Sequence, residues 1–194
     1  MKNRTKLAVF ASGNGSNFQA LYDATQDGRL DAEIVLVITD KPSAFVLERA
    51  KQAEVSAFSF NPRDYESKQA YESMLVEKLE EAGVEWLVLA GFMRLIGPVL
   101  LTAYENRIVN IHPSVLPAFP GKDAIGQTLA AGAEMAGVTV HFVDEGMDTG
   151  MIIAQRSFPV NGQNRETVER KIHDIEHQLY PESLQQLFSR QQSV

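Results

Sequence analysis

Residues 7–27 read LAVFASGNGSNFQALYDATQD and join an apolar run, a loop with two glycines and an amphipathic segment. The apolar run from Leu7 to Ala11 is typical of a strand that is buried on both faces. The segment from Phe18 to Asp27 has the spacing of apolar side chains that favours a helix. A strand, a glycine-containing turn and a helix in this order predict the first unit of a parallel α/β sheet.

The same alternation continues along the chain. Further strands are predicted at 34–39, 55–58, 86–90 and 108–111, and helices at 45–53, 67–82, from about 124 and at 165–188. Residues 137–143 and 151–160 are separated only by a turn-rich segment, which favours an antiparallel hairpin. We predict one Rossmann-like α/β domain, with a mostly parallel twisted sheet flanked by helices and a late antiparallel hairpin. The domain is expected to span 1–189, followed by a frayed tail at 190–194.

The composition restricts the class of function. The chain has 194 residues, a formal net charge of -7 and no cysteine. An acidic balance gives no global footprint for nucleic acid or for an anionic membrane surface. The lack of cysteine excludes thiolate nucleophiles, thiolate metal sites and disulfides. No run approaches the about 20 apolar residues of a membrane span. We therefore expect a cytoplasmic protein, a monomer or a homodimer, that acts on small molecules.

The loop from Ser12 to Asn17 is suited to an anion. Glycines allow a positive φ, and the free amides at the start of a helix bind phosphate. An ordinary capped turn is the alternative. A dinucleotide site is another, in which Asp40 would hold the ribose, but Phe18 occupies the position of the third glycine of that fingerprint. A simple phosphate is thus favoured over a dinucleotide.

Two polar side chains close the strand predicted at 108–111. Asn110 and His112 alternate with Ile111, so both point to the same side of the sheet. Asparagine can donate to a developing oxyanion, and histidine transfers protons near neutral pH. Asp148, in the turn of the predicted hairpin, could orient the imidazole. These residues are compatible with a group-transfer centre, but also with ordinary strand-end and turn chemistry, and they do not name a substrate.

The string NIHPSVLP at 110–117 resembles the active-site segment of the folate-dependent formyltransferase family. The glycine loop, the string GFMRLI at 91–96 and Asp148 follow the same pattern, so the resemblance covers essentially the whole chain and favours the purine-biosynthesis branch. It implies that Asn110, His112 and Asp148 are catalytic. The amine of glycinamide ribonucleotide would attack the formyl group of 10-formyltetrahydrofolate, Asn110 and His112 would stabilise the oxyanion, and Asp148 would assist proton transfer.

The resemblance also implies which residues bind the substrates. It assigns the ribonucleotide to Gly15, Ser16, Asn17, His173 and Glu176. It assigns the folate to Lys68, Met93, Arg94, Leu95, Ile96, Asn110, Asp144, Glu145, Gly146, Met147 and Asp148. The chain departs from the pattern at Met151, where proline is common, and at Lys122-Asp123-Ala124, where some relatives carry a histidine. The second departure changes the expected wall of the folate pocket.

Alternative functions stay open at this point. A formyltransferase for another amino sugar or a formyltetrahydrofolate hydrolase would use the same polar residues, although the hydrolase is expected to carry an additional amino-terminal domain. A methionyl-tRNA formyltransferase would need a longer chain and a basic surface. A binding module for a phosphorylated ligand is the alternative that is not an enzyme. The string HDIEH at 173–177 matches a zinc pattern, but no third ligand is evident and we predict no metal.

Overall fold

Seven strands form one sheet in a computed structural model, which describes residues 3–193. The strands are β1 (Thr5–Phe10), β2 (Ala32–Thr39), β3 (Ala57–Ser59), β4 (Trp86–Leu89), β5 (Ile108–His112), β6 (Met135–Phe142) and β7 (Ile152–Pro159). Their order in the sheet is β3-β2-β1-β4-β5-β6-β7. Strands β1 to β5 are parallel, whereas β6 is antiparallel to both β5 and β7. The predicted fold class, including the late hairpin, is confirmed.

The helices are α1 (Ser16–Asp27), α2 (Val46–Gln52), α3 (Lys68–Glu81), α4 (Pro98–Ala103), α5 (Ala124–Ala130) and α6 (Arg165–Gln191), with a 3-10 turn at Pro62–Asp64. Helix α4 was not predicted, because six residues are too few for a periodic pattern. Helix α6 continues to Gln191, so the first residues of the predicted tail are helical, and residue 194 lies outside the described residues. Within residues 3–193, no helix combines the length and the apolar character that crossing a membrane requires.

Alternate residues of β1 face two separate layers of the core. Leu7 and Val9 belong to a cluster that includes buried residues of α1 and α6. Ala8 and Phe10 belong to a second cluster with residues of α3 and α4. Complete burial of a side chain such as Phe10 contributes about 1.5–3 kcal/mol. Burial on both faces explains why the parallel strands are almost wholly apolar, and it leaves their polar residues to the strand ends.

The chain reverses its direction of winding between β1 and β4, which are neighbours in the sheet. In open α/β sheets, such a switch point opens a crevice beyond the carboxyl ends of the strands. Helix α6 is anchored there by Tyr180, whose buried hydroxyl donates to the carbonyl of Leu89 at 2.7 Å. Glu176 lies one helical turn before Tyr180. This anchor therefore carries Glu176 to the same end of the sheet as the glycine loop.

Candidate active site

Two adjoining cavities lie beyond the carboxyl ends of β1, β4 and β5. The larger has a volume of about 540 Å³ and is lined by the segments 91–96, 110–113, 121–125 and 146–148. The smaller, of about 380 Å³, lies over the loop from Ser12 to Asn17. The two cavities share four lining residues, namely Asn17, Gly91, Met93 and Glu176. A ligand in one cavity is thus in direct reach of a ligand in the other.

Asn110 and His141 face each other across strands β5 and β6. They are partners in the antiparallel register, which places their side chains on one face of the sheet. Nδ1 of His141 lies 2.8 Å from the carbonyl oxygen of Phe142, so Nδ1 carries the hydrogen and donates it. Nε2 of the neutral ring is then an acceptor, and Nδ2 of Asn110 lies 3.2 Å from it. The second N–H of the Asn110 amide stays available in the larger cavity.

His112 is buried, with 6% of its surface exposed, and both of its ring nitrogens have defined surroundings. Nε2 donates to the carbonyl oxygen of Phe119 at 2.9 Å. This contact turns Nδ1 towards Asp148, whose Oδ2 lies 3.5 Å away. When Nδ1 takes up a proton, the imidazolium has a carboxylate beside it. The pair can therefore hold and release a proton at Nδ1.

Asp148 lies between two imidazoles. Its Oδ2 is close to His112, and its Oδ1 lies 3.6 Å from Nε2 of His141. Burial alone would raise the pKa of the carboxyl, but the interaction with His141 in its protonated form, the N–H of Gly121 and the charge of His112 outweigh it and lower the pKa. The Gly121 N–H donates to Oδ2 at 2.8 Å and holds Asp148 in a left-handed backbone conformation, at φ 55. Asp148 is thus an anion at neutral pH.

In the turn from Asp144 to Asp148, some residues line the larger cavity and others stabilise the turn itself. Gly146 and Met147 line the cavity together with Asp148. Oδ1 of Asp144 instead accepts hydrogen bonds from the Gly146 N–H, at 3.0 Å, and from the Thr149 hydroxyl, at 2.6 Å. Glu145 is exposed and does not line the cavity. Of the five residues assigned to the folate in this turn, the structure brings three into the cavity.

The segment from Met93 to Ile96 forms an apolar side of the larger cavity. Met93 and Leu95 are exposed large hydrophobic residues, at 65% and 49% of their surface. An apolar cavity with a few convergent polar groups is the usual form of a small-molecule site. Lys68 does not line this cavity, because its Nζ donates to the carbonyl oxygen of Leu95 at 2.9 Å. Lys68 therefore contacts the predicted folate segment from behind.

The smaller cavity has the features of an anion site. It contains the amino terminus of α1, where Gly15 adopts a left-handed φ of 79. A Cβ at Gly15 would lie 2.6 Å from Cγ2 of Val46, so both the backbone and the packing require glycine. Ser16 and Asn17 line this cavity, as do Lys41 and His173. Free amides and nearby cations at a helix start suit a phosphate.

Glu176 and Asn17 join the two cavities. Nδ2 of Asn17 donates to Oε2 of Glu176 at 2.7 Å. Burial raises the pKa of Glu176, while the hydrogen bond from Asn17 and the charge of His173 oppose that rise. Oδ1 of Asn17 is buried and has no hydrogen-bond partner within residues 3–193. A ligand that donates a hydrogen bond would satisfy this oxygen.

A residue of helix α6 holds the wall of the larger cavity at Lys122 and Asp123 in place. Both residues line the larger cavity. Arg165 binds Asp123 with an Nη2 to Oδ1 distance of 2.6 Å, and Asp123 caps α5 by accepting from the N–H of Gly126. At this departure from the expected pattern, the ion pair between Arg165 and Asp123 fixes the backbone. The bond between Leu116 and Pro117 is cis.

Sequence reasoning missed two residues of the site, His141 and Lys41. His141 is the only ionisable residue in β6, and an ionisable side chain in an otherwise uncharged strand was a usable signal. Lys41 follows the carboxyl end of β2, which is where a parallel sheet binds its ligands.

Among residues 3–193, no three His, Cys, Asp or Glu side chains lie close enough together to hold a metal ion, and this includes the zinc-like string at 173–177.

The fold and the polar centre define an α/β domain of the group-transfer class. The sequence model of the family described as formyl transferase matches residues 5–184, and the chain belongs to this family. It is 51% identical over 183 residues to phosphoribosylglycinamide formyltransferase of Bacillus subtilis (strain 168), with 94% of each chain covered. The predicted family is thus confirmed.

Solved structures give the same result. The crystal structure of glycinamide ribonucleotide transformylase 1 from Geobacillus kaustophilus matches with a TM-score of 0.93 and 56% identity, over 95% of this chain and 99% of that one. Phosphoribosylglycinamide formyltransferase from Bacillus halodurans matches with a TM-score of 0.93 and 50% identity, over 95% and 96%. The antiparallel strands β6 and β7, which carry His141 and flank Asp148, therefore belong to the common fold.

Proposed function

We propose that this chain transfers the formyl group of 10-formyltetrahydrofolate to the amine of N1-(5-phosphoribosyl)glycinamide, a step of purine biosynthesis. The observation that carries the proposal is the position of Asp148 between His112 and His141, beside Asn110, where an anion-binding cavity adjoins an apolar one. The names of the relatives from Bacillus subtilis and Bacillus halodurans support the choice of substrates. We infer a cytoplasmic enzyme that is a monomer or a homodimer and needs no metal.

The ribonucleotide would occupy the smaller cavity. Its phosphate would accept hydrogen bonds from the amides and side chains at Gly15, Ser16 and Asn17. Lys41 and His173 would supply positive charge that the chain as a whole, with a net charge of -7, does not provide. The buried carboxyl of Glu176 would accept from a sugar hydroxyl, and Oδ1 of Asn17 would gain the partner that it lacks.

The folate would occupy the larger cavity. Its planar ring would pack against the segment from Met93 to Ile96 and against Gly146 and Met147. Lys68 and Asp144 would act on this cavity indirectly, by fixing the backbone at Leu95 and at the 144–149 turn. Glu145 is exposed at the rim of that turn and would contact only the outer part of a long ligand.

The proton transfers follow from the polar contacts. The 10-formyltetrahydrofolate supplies an activated formyl group, so no enzyme nucleophile is needed. As the uncharged amine attacks, negative charge develops on the formyl oxygen, and the free N–H of Asn110 and protonated Nδ1 of His112 would donate to it. The attacking amine must lose a proton and the leaving nitrogen must gain one. Asp148, as a carboxylate beside Nδ1 of His112, would accept and return that proton, directly or through water.

A direct assay tests this function. The purified protein is incubated with the ribonucleotide and 10-formyltetrahydrofolate, and deformylated folate and formylated product are measured together. Equal amounts of both products, formed only when the amine is present, are expected. Folate release without the amine would identify a hydrolase instead. Ligand binding without any turnover would identify a binding module for a phosphorylated ligand.

A further inference from the structure

Asp40 is a buried carboxylate next to the active site that the reaction does not use. It follows the last residue of β2, and only 2% of its side chain is exposed. Its Oδ1 accepts a hydrogen bond from the Ser12 hydroxyl at 2.6 Å, and its Oδ2 accepts one from Nε of Arg94 at 2.9 Å. It lines neither cavity, so the ribose contact considered for Asp40 from the sequence has no support.

The direction of these hydrogen bonds is fixed by chemistry. A carboxylate can only accept, so the Ser12 hydroxyl must donate its hydrogen to Asp40. The lone pairs of the Ser12 oxygen then remain for the backbone N–H of Met93, which donates to it at 2.9 Å. Ser12 is further held by its own N–H, which donates to the carbonyl oxygen of Gly91 at 3.0 Å. Asp40 thereby controls two consecutive residues, Met93 through Ser12 and Arg94 directly.

This network connects the two cavities. Ser12 begins the loop of the smaller cavity, Met93 lines both cavities, and Arg94 lines the larger one. The two neighbouring contacts to the same segment, from Lys68 to Leu95 and from Glu72 to the N–H of Gly97 at 2.7 Å, come from helix α3. Asp40 supplies the contacts to this segment on the other side, next to the loop from Ser12 to Asn17. Preorganisation of a binding segment lowers the cost of ordering it when the ligand binds.

We propose that Asp40 is a positioning residue for the folate co-substrate. It fixes Met93 through Ser12, and it fixes Arg94 directly, next to the loop from Ser12 to Asn17. The proposal rests on the proposed function, because it takes the segment 93–96 as the folate site. Loss of Asp40 frees the Arg94 side chain and removes the group that orients the Ser12 hydroxyl. The chemistry at Asn110, His112 and Asp148 is untouched, so the effect is expected in folate affinity and not in turnover.

Kinetics of Asp40→Ala test the proposal. We expect the KM for 10-formyltetrahydrofolate to rise about tenfold or more, the factor for loss of a charge-assisted hydrogen bond. The KM for the ribonucleotide, whose cavity Ser12 and Met93 also line, should rise less, and kcat should stay within about threefold. The matched control is Asp31→Ala, which removes the carboxylate at the opposite end of β2 and its pair with Arg4 at 3.8 Å. Both KM values should be unchanged in that variant. An unchanged folate KM in Asp40→Ala would overturn the proposal.

A double-mutant cycle separates positioning from general damage. If Asp40 acts through Ser12, the Ser12→Ala/Asp40→Ala variant should have a folate KM close to that of Asp40→Ala alone. If the factor by which the folate KM rises in the double variant equals the product of the factors of the two single variants, Asp40 and Ser12 act independently. That result would overturn the proposed route through Ser12. Asp40→Asn keeps an acceptor for Arg94 and should fall between the wild type and Asp40→Ala. Should Asp40→Ala fail to fold, Asp40→Asn and Ser12→Ala give the same test.

Titration with tetrahydrofolate, without the ribonucleotide, keeps this proposal distinct from the proposed function. A higher Kd in Asp40→Ala than in the wild type supports positioning of the folate even where no formyl transfer to the ribonucleotide is detected. Formyl transfer by the wild type together with an equal Kd in both proteins would instead retain the function and reject the role of Asp40.

Discussion

Nδ2 of Asn110 lies 3.2 Å from Nε2 of His141, across the antiparallel pair β5 and β6. The Phe142 carbonyl sets the tautomer of His141, and the tautomer in turn makes Nε2 an acceptor. An asparagine amide has a nitrogen end and an oxygen end, and this contact decides which end turns towards the histidine. Asn110 is thus oriented as a donor before any ligand binds, which is what stabilisation of an oxyanion requires.

Removal of His141 should therefore act through Asn110. We expect His141→Ala to lower kcat at least about tenfold, and Asn110→Ala to lower it about 100- to 1,000-fold as a lost oxyanion donor. The combined variant should be close to Asn110→Ala alone, and steady-state kinetics measure all three. His177→Gln, which changes a histidine outside both cavities, should keep the wild-type kcat. Full activity of His141→Ala would contradict the orienting role.

Loss of the carboxylate at Asp148 should reduce the rate of the chemical step. Asp148→Asn and His112→Ala should each lower kcat at least about tenfold, since a positioned acid or base contributes about 100- to 10,000-fold. Circular dichroism should show both variants folded. Glu145→Ala removes a carboxylate three positions away that is exposed and outside the cavity, and it serves as the control with unchanged kcat. Near-normal turnover in Asp148→Asn would remove Asp148 from the mechanism.

Gly13 and Gly15, the two glycines of the loop from Ser12 to Asn17, should respond differently to alanine. Gly15→Ala places a Cβ 2.6 Å from Val46 in a left-handed backbone, which should cost about 1–3 kcal/mol of unfolding free energy. Its KM for the ribonucleotide should also rise, because the loop must move. At Gly13 nothing lies within 4 Å of an added Cβ, so Gly13→Ala should be neutral in urea denaturation. Equal stability of the two variants would exclude the packing argument.

Lys41 should contribute to ribonucleotide affinity alone. It lines the smaller cavity and not the larger. In Lys41→Ala we expect the KM for the ribonucleotide to rise about tenfold, the factor for a lost charged hydrogen bond, with the folate KM unchanged. The neighbouring exposed lysine on α2, Lys51, lies outside both cavities, and Lys51→Ala tests for a general effect of charge. A similar rise of the ribonucleotide KM in both variants would mean that Lys41 acts only through long-range electrostatics.

The raised pKa of Glu176 has a consequence for stability. Burial raises it above the ordinary 4.5, so the folded state binds this proton more tightly than the unfolded state. Its contribution to stability is therefore complete below the unfolded pKa and is lost as the pH rises through the folded pKa. Glu176→Gln stays neutral, so its Tm should match the wild type at about pH 4 and exceed it at about pH 8. Thermal melts at both pH values test this, and an equal difference at both would contradict it.

Local periodicity was sufficient for part of the site. Alternation along β5 places Asn110 and His112 on one side of the sheet, and that inference needs only three consecutive residues. The strand, loop and helix at 7–27 likewise predict the anion site from neighbours in sequence. Features of this kind depend on backbone geometry that each segment determines by itself.

Contacts between distant segments were not accessible in the same way. Helix α4 has few periodic residues, and its first amides are capped by Glu72, which lies 25 positions before Gly97. The pairing of Asn110 with His141 depends on a register between strands that are separated by helix α5. Lys68 has the charge to bind a folate carboxylate, but its position allows it to reach the Leu95 carbonyl instead. In each case a partner remote in sequence determined the outcome.

The four residues common to both cavities restrict how this protein can change its substrates. Substitution at Asn17, Gly91, Met93 or Glu176 alters the surface that the two proposed ligands would share, so a gain for a new amine is expected to be offset by a loss for the folate. Residues that line a single cavity, such as Lys41 for one ligand and Lys122 for the other, are free of this conflict. Directed evolution towards a different acceptor should therefore begin at residues that line only one cavity. Libraries that randomise the four shared residues should consist mostly of inactive clones.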